Sequence, residues 1–443
     1  MKDIRFQSKQ VIKQAVQNAV LPVCYRINHG RPVNPGMVVF ADAHHNRRPA
    51  AMELLYRKLK AEGSWRIVEH YLDYGQAGAG EVAKHSIRFM KLYAEAGFVV
   101  ICDNFLPAAS CRKRPQTKVI QLWHACGCYK KFGYDAKDDI PENYHGANVY
   151  RNADLVTVSG EAAVKPFASA MRLPEKCVKP VGVSRTDLYF RESWKERCRK
   201  QFCERYPQAK GKKVVLWAPT FRGNAGVPEL ISLDLWHLQR ELGEEYLVLA
   251  RLHPHMFHGT GEAGAKTTDH AGQPGVEPVH TGQTGAGRFL CDIPTEELYL
   301  VVDILIADYS SLIYEYLLVG KELVLYVPDL ESYRRRRGFY MQIEEIPGEV
   351  VTRESDLAAA IRRAAKGRNE SGSGGSEAGH KETGARGSED GYKEADVRGS
   401  EAGYKEIRHK EAGQGRADFL QSYMGACDGH ATERIAAWMT SHK

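Results

Sequence analysis

No stretch of the 443-residue chain approaches the ~20 apolar residues that a membrane-spanning helix needs. Nor does Met1 to Gln17 carry the continuous apolar core of a secretory signal, because charged and polar residues interrupt it. No C-x-x-C pair occurs among the ten cysteines, which are scattered and partly embedded in apolar runs, so reduced thiols in a cytoplasmic protein are expected. Charge of one sign is also scarce. Lys and Arg number 62 against 55 Asp and Glu, and the resulting +7 suits anionic substrates or an anionic membrane surface without coating a nucleic acid. What the chain does have is 43% hydrophobic residues, enough to bury a core, and a length typical of two to three domains.

Short apolar runs alternate with amphipathic stretches. Strands are expected at 36–41, 67–71, 98–102, 119–123, 155–159, 214–218, 246–252, 304–307 and 323–327. Helices are expected at 48–62, 81–96, 160–170, 187–206, 235–242, 311–319 and 355–366. Such alternation predicts an α/β protein with parallel sheets covered on both faces, and two sheets fit the length better than one. Pro174 and Pro180 interrupt the pattern near residues 171–180, which places an N-terminal domain at 1–175 and a C-terminal domain at 176–366. Residues 257–288, rich in Gly, Thr, His and Gln, read as a surface insertion. Residues 367–416 carry a twelve-residue repeat beginning at Gly375, Gly387 and Gly399, with too few apolar residues to stack as a solenoid, and a disordered insert is expected there. Helical spacing returns at 431–438, so 417–443 should pack on the folded body.

Candidate chemistry gathers at strand ends, where doubly wound sheets bind ligands. Trp123 and His124 end one apolar run and lead into a loop with Ala125, Lys130 and Lys131. A histidine there can take a proton at neutral pH, and the lysines can hold an anion; a core histidine followed by a solvated lysine pair is the plainer alternative. Arg251 and His253 end another run as an anion-binding pair. His255 and His258 extend the spacing, but no carboxylate cluster supports a metal site, and none is expected. Asp308, Ser310 and Ser311 stand between a strand and a helix, where Asp308 or a serine can cap the helix and its free N–H groups can cradle phosphate. Pro219, Thr220 and Arg222 supply a turn and donors at a further strand end, while Arg185 and the run from Tyr333 to Arg337 add cations or simply a basic surface. Together they suggest a phosphate ester as ligand.

In this order the segments resemble the CDP-glycerol glycerophosphotransferase family, the teichoic-acid polymerases and primases of Gram-positive bacteria. The resemblance is carried by Gln121 to His124, Gly182 to Asp187, Ala218 to Arg222, Arg251 to Pro254, Asp308 to Ser311 with Glu315, and Tyr326 to Tyr340. It implies a GT-B fold, with two Rossmann-like halves facing a cleft and a terminal helix crossing back to the first. It also implies that a hydroxyl of a lipid-linked acceptor attacks the distal phosphorus of a CDP-polyol and expels CMP, with no cofactor required and no nucleic acid involved. By that resemblance His124 is the general base, His253 and Arg251 hold the diphosphate, and Ser310, Ser311, Thr220 and Arg185 bind the donor. Trp123, Ala125, Lys130, Lys131, Pro219, Arg222, Asp308 and Glu315 complete the expected substrate site. Ala125 stands where many relatives carry glycine, which puts the loop's shape in question. Peripheral contact with an anionic membrane is expected if Lys2 to Lys13, with Val16, Val20 and Leu21, form a basic amphipathic segment; the alternative is an N-terminal helix packed on the C-terminal domain. A nucleotide-sugar glycosyltransferase and a non-catalytic polymer-binding relative remain open alternatives.

Overall fold

The computed structural model describes residues 15–136, 139, 147–220, 222–224, 227–229, 231–252, 289–371 and 415–443. Lys2 to Lys13, His253, His255, His258, the expected insertion at 257–288 and residues 372–414 of the repeat segment lie outside the described residues; the two ends of that segment, 367–371 and 415–416, are helical where disorder was expected.

Apolar runs with little polar alternation suit strands covered on both faces, and the chain places them in two separate sheets. The first contains β1 (Asn34–Asp42), β2 (Arg66–Tyr71), β3 (Ala96–Ile101), β4 (Lys118–Gln121), β5 (Leu155–Thr157) and β6 (Val178–Lys179). Its order is β2-β1-β3-β4-β5-β6, and every neighbouring pair is parallel. Successive residues of β1 feed opposite cores, as the two-residue period of a strand requires. Met37, Val39 and Ala41 pack with Phe89 and Tyr93 of the helix Ala79–Glu95, whereas Val38 and Phe40 pack with Met52, Leu55 and Leu59 of the helix Ala50–Glu62.

The second sheet starts with β7 (Lys213–Trp217). A small antiparallel pair follows, β8 (Arg222–Asn224) with β9 (Val227–Glu229), before β10 (Tyr246–Ala250), β11 (Ile304–Ala307), β12 (Glu322–Tyr326) and β13 (Glu349–Val351). The parallel order is β10-β7-β11-β12-β13. Each sheet therefore reverses its strand order once, between β1 and β3 and between β7 and β11. Ligands of open parallel sheets bind beyond the carboxyl ends at such reversals.

Among the elements that differ from the expectation are the following three. The helix expected at 187–206 is divided into a 3-10 segment, Ser184–Phe190, and a helix, Glu192–Arg205, with Arg191 extended between them. Leu330–Arg336 forms a helix that was not among those expected, with Arg335 and Arg336 exposed on it. Leu21–Ile27 packs through Leu21 and Tyr25 against Phe89 and Tyr93, which puts the N-terminal helix on the first sheet's core and corrects the placement on the C-terminal half. No helix among the described residues is long and apolar enough to cross a membrane.

The chain's end touches both cores. Residues 415–424 are helical, and Phe419, Met424 and Cys427 join the core of the second sheet. The helix Ala431–Ser441 then lays Ile435, Ala436 and Met439 beside Met52 and Leu55 on the first. Asp187 caps that helix from a distance, accepting the N–H of Ala431 (3.0 Å), the N–H of Thr432 (2.8 Å) and the Thr432 hydroxyl (2.6 Å). Gly182 has φ +89°, and a Cβ there would lie 2.2 Å from the carbonyl oxygen of Ala426, so the segment from Gly182 to Asp187 is a junction in which only glycine fits the first position.

Candidate active site

The path of the chain beyond β4 positions His124. The N–H of Leu122 donates to the carbonyl of Ile101 at 2.8 Å, and Trp123 then adopts φ +57°, a left-handed conformation that a tryptophan holds only where its surroundings enforce it. Gln121 supplies part of that enforcement: its side chain accepts from the Trp123 N–H at 3.0 Å and donates to the Asp103 carbonyl at 3.1 Å. The His124 ring stacks on Trp123 with centroids 4.6 Å apart and remains half exposed. Its Nδ1 faces Oδ2 of Asp103 and the carbonyl of Cys102, both at 3.3 Å. Both contacts fall on Nδ1 and leave the Nε2 side of the ring open. Left-handed backbone in this loop falls on Trp123 and Gly127, so Ala125 carries no such strain. Gly127 is the position without room: a Cβ there would come within 2.2 Å of the Tyr314 ring.

Arg185, expected to bind the donor, and Glu315, expected in the substrate site, are committed to each other. The guanidinium pairs with both carboxylate oxygens of Glu315 and donates to the His124 carbonyl at 2.5 Å, while the Tyr189 hydroxyl donates to Glu315 at 2.6 Å. Glu315 belongs to the helix Leu312–Leu318, which follows β11. The backbone of His124 is therefore tied to the second sheet through a buried ion pair.

At the second reversal, Asp308 does not cap the helix. It is buried, and it accepts from the Thr220 N–H (2.9 Å), the Thr220 hydroxyl (2.6 Å), Arg222 (2.8 Å) and the Tyr309 N–H (2.6 Å). Arg222 also pairs with Asp329 at 2.9 Å and lies over the Tyr309 ring, 4.6 Å from its centroid. Sequence reasoning saw Thr220, Arg222 and Asp308 as separate ligand contacts; the fold makes them one network across 88 residues of chain. Pro219 is buried beside it. Ser310 and Ser311 are half-buried, and Ser310 accepts the Leu312 N–H at 3.3 Å. Arg251 donates to the Cys291 carbonyl at 2.9 Å.

Lys130 and Lys131 sit where the two sheets' loops meet. The Lys131 N–H donates to the Gly338 carbonyl (3.1 Å), Arg337 donates to the Lys131 carbonyl (2.9 Å), and the Tyr340 N–H donates to the Tyr129 carbonyl (2.9 Å). Tyr129 stacks on Phe339 at 4.6 Å. Burial pushes the Lys130 amine down to about 8; Arg337 and Arg222 add repulsion, and Asp308 and Asp139 oppose it.

One group escaped the sequence reading. Asp42, the last residue of β1, is buried and accepts the His44 N–H at 2.7 Å and Nδ1 of His45 at 2.9 Å. Burial alone would raise the Asp42 carboxyl, but His45 and His44 hold it below the usual carboxylate range. The hydrogen bond to Asp42 raises His45, against burial, and Asp103 and Asp73 add to the rise. The signal available was an aspartate closing an apolar run and a histidine three residues on. Among the described residues no group of three or more His, Cys, Asp or Glu could hold a metal ion.

The sequence model of the family described as CDP-glycerol:poly(glycerophosphate) glycerophosphotransferase matches residues 23–374. A teichoic acid ribitol-phosphate primase of Bacillus spizizenii is 33% identical over 75% of this chain and 85% of its own length. A teichoic acid poly(ribitol-phosphate) polymerase of the same organism is also 33% identical, over 60% of this chain and 41% of its own length. Among solved structures, the wall teichoic acid polymerase TagF superposes with a TM-score of 0.66 at 18% identity, covering 99% of this chain and 96% of that one. That likeness establishes a shared fold.

Proposed function

The chain belongs to the CDP-glycerol:poly(glycerophosphate) glycerophosphotransferase family, and from that premise we propose that it transfers a polyol phosphate from a CDP-polyol to a hydroxyl of a teichoic-acid-type acceptor. The acceptor oxygen bonds to the distal phosphorus, the phosphoanhydride P–O bond breaks, CMP leaves with the bridging oxygen, and the hydroxyl proton passes to Nε2 of His124. An alcohol is a poor nucleophile at neutral pH, and a positioned base is worth ~10² to 10⁴ in rate. Charge collects on the diphosphate as CMP departs, so cations and N–H groups in a crevice between the sheets stabilise it more than water would. Lys130, Ser310, Ser311 and Arg251 are the groups we assign to that task, with His253 completing the set; no cofactor enters this scheme.

The observation that carries the reading is His124 at the carboxyl edge of the first sheet, backed by Asp103 at 3.3 Å and tied through Arg185 to Glu315 of the second. Two parallel sheets, each with its own reversal, support division into Rossmann-like domains at 1–175 and 176–366 in the GT-B manner, with 417–443 crossing back. We assign the acceptor to the first and the donor to the second. A lipid-linked acceptor would bring the protein to the inner face of the membrane as a peripheral partner.

The test is CMP release from CDP-glycerol and CDP-ribitol, with UDP-sugars alongside, in the presence of a lipid-linked polyol-phosphate acceptor. Transfer with CMP release is expected, and His124→Ala should lower kcat by ~10² to 10⁴ with the melting temperature kept. UDP release without CMP would reject the assignment in favour of a glycosyltransferase, and absence of turnover in the wild type would favour a binding protein.

A further inference from the structure

The first sheet's reversal lies between β1 and β3, and His124 stands one strand beyond it. The side chain presented at the reversal itself is His45. Asp42, only 1% exposed, holds its Nδ1 at 2.9 Å, while 53% of the His45 side chain remains open to solvent. A buried carboxylate behind a half-open imidazole fixes which nitrogen faces outward, and here that nitrogen is Nε2. The Asp42 side chain also accepts from the Cys102 thiol at 3.7 Å, so the pair is anchored to both strands of the reversal.

The neighbouring cation does not compete for this place. Arg48 pairs with Glu53 at 2.6 Å and Glu69 at 3.0 Å, and it covers the Tyr56 ring at 3.3 Å. Asp103, whose carboxylate faces His124, also favours the charged form of His45, so the two histidines share one electrostatic neighbourhood. They are carried by strands two places apart, roughly 10 Å at the usual strand spacing. In a polyol-phosphate chain the attacking hydroxyl is separated from the next phosphate by one polyol, three carbons for glycerol and five for ribitol. That length lets a terminal unit with its hydroxyl at His124 reach β1 with its first phosphodiester.

We propose that His45 is a substrate-binding residue, whose Nε2–H holds the phosphodiester of the acceptor's terminal unit while His124 takes the proton from the hydroxyl at the end of that unit. This rests on the transferase reading above and extends it to the acceptor. A phosphate anion at His45 could instead be the donor's diphosphate, and the kinetics separate the two.

The full chain is assayed as wild type, His45→Gln and His45→Lys, with CDP-glycerol or CDP-ribitol as donor. Two acceptors are used: a soluble lipid analogue ending in a polyol phosphate, and free glycerol, which has no phosphate. For His45→Gln the KM of the phosphorylated acceptor should rise about tenfold, the scale of one hydrogen bond to a charged group. Donor KM, kcat and the rate with free glycerol should stay within about twofold, and His45→Lys should recover part of the loss. An unchanged acceptor KM overturns the proposal. So does a rise confined to donor KM, which assigns the anion to the donor, or an equal loss with free glycerol, which makes His45 purely structural. Melting curves of both variants guard against misfolding. If the wild type transfers nothing to either acceptor, the transferase reading fails and this proposal with it; if it transfers and only the His45 kinetics disagree, the failure belongs to His45 alone.

Discussion

The two strand-order reversals hold similar residue types in opposite states. Beyond β7 and β11, Thr220, Arg222, Asp308 and Asp329 satisfy one another, and the Arg222–Asp308 pair is only 2% and 3% exposed. Beyond β1 and β3, Asp42 and Asp103 each hold one nitrogen of a histidine whose ring stands about half in solvent. A charge-paired network with its hydrogen bonds made is a scaffold, because drawing a donor out of it to meet a ligand exposes the full desolvation cost of its partner. A histidine with one nitrogen held and the other open keeps a polar atom available to a ligand. The lesson is that polarity at a strand end does not by itself mark a ligand contact; the unfilled valence does.

The sharpest way to break this contrast is to remove one carboxylate from each side. Asp308→Ala leaves Arg222 buried with half its partners and strips Thr220 of its acceptor, so a loss of about 3 to 5 kcal/mol is expected, read as a shift of the denaturation midpoint. Asp103→Asn keeps the shape and removes the charge behind His124. Its carboxylate is 31% exposed, so stability should change by less than about 1 kcal/mol. In contrast, kcat should fall about tenfold, a fraction of the base's whole contribution, with donor KM kept. A mild effect of Asp308→Ala on stability together with a large one on donor KM would reverse the roles assigned to the two clusters.

The strands were legible because parallel strands buried on both faces leave continuous apolar runs, and β1, β7, β11 and β12 fall within two residues of where those runs predicted them. β6 and β13 were not, since Val178–Lys179 and Glu349–Val351 supply too few apolar residues to read as a run. Strand order, and with it the reversals, is a long-range property that no local pattern encodes. The same limit explains the site. His124 was legible from its place after an apolar run, but its carboxylate comes from the loop beyond β3. His45, amid His44, Asn46, Arg47 and Arg48, looks like part of a solvated loop, and only the fold shows that Asp42 behind it is buried. The segment from Gly182 to Asp187, one of those that carry the resemblance and expected to bind the donor through Arg185, contributes a helix cap and an ion pair whose partners lie 244 and 130 residues away.

Lys130 tests the comparison most finely, because it joins the loop beyond β4 to the second cluster. Its amine titrates near 8, with burial as the main cause and Arg337 and Arg222 pressing in the same direction. Below that pH it adds its charge to those of Arg337 and Arg222 and favours a diphosphate; above it the charge is gone. The kcat/KM for the CDP-polyol, which reports the free enzyme, should therefore decline as pH rises through about 8. In Lys130→Arg that decline should move beyond the measurable range, since a guanidinium stays protonated. Stability should respond with the opposite sign. A lysine depressed in the folded state binds its proton more weakly than in the unfolded chain, so the unliganded protein gains stability as pH climbs from about 8 toward the unfolded value of about 10.4. Donor efficiency falling while unliganded stability rises over the same interval is a signature that a general alkaline unfolding would not produce. Parallel loss of both would remove Lys130 from the donor's contacts and leave it as part of the clamp between the sheets.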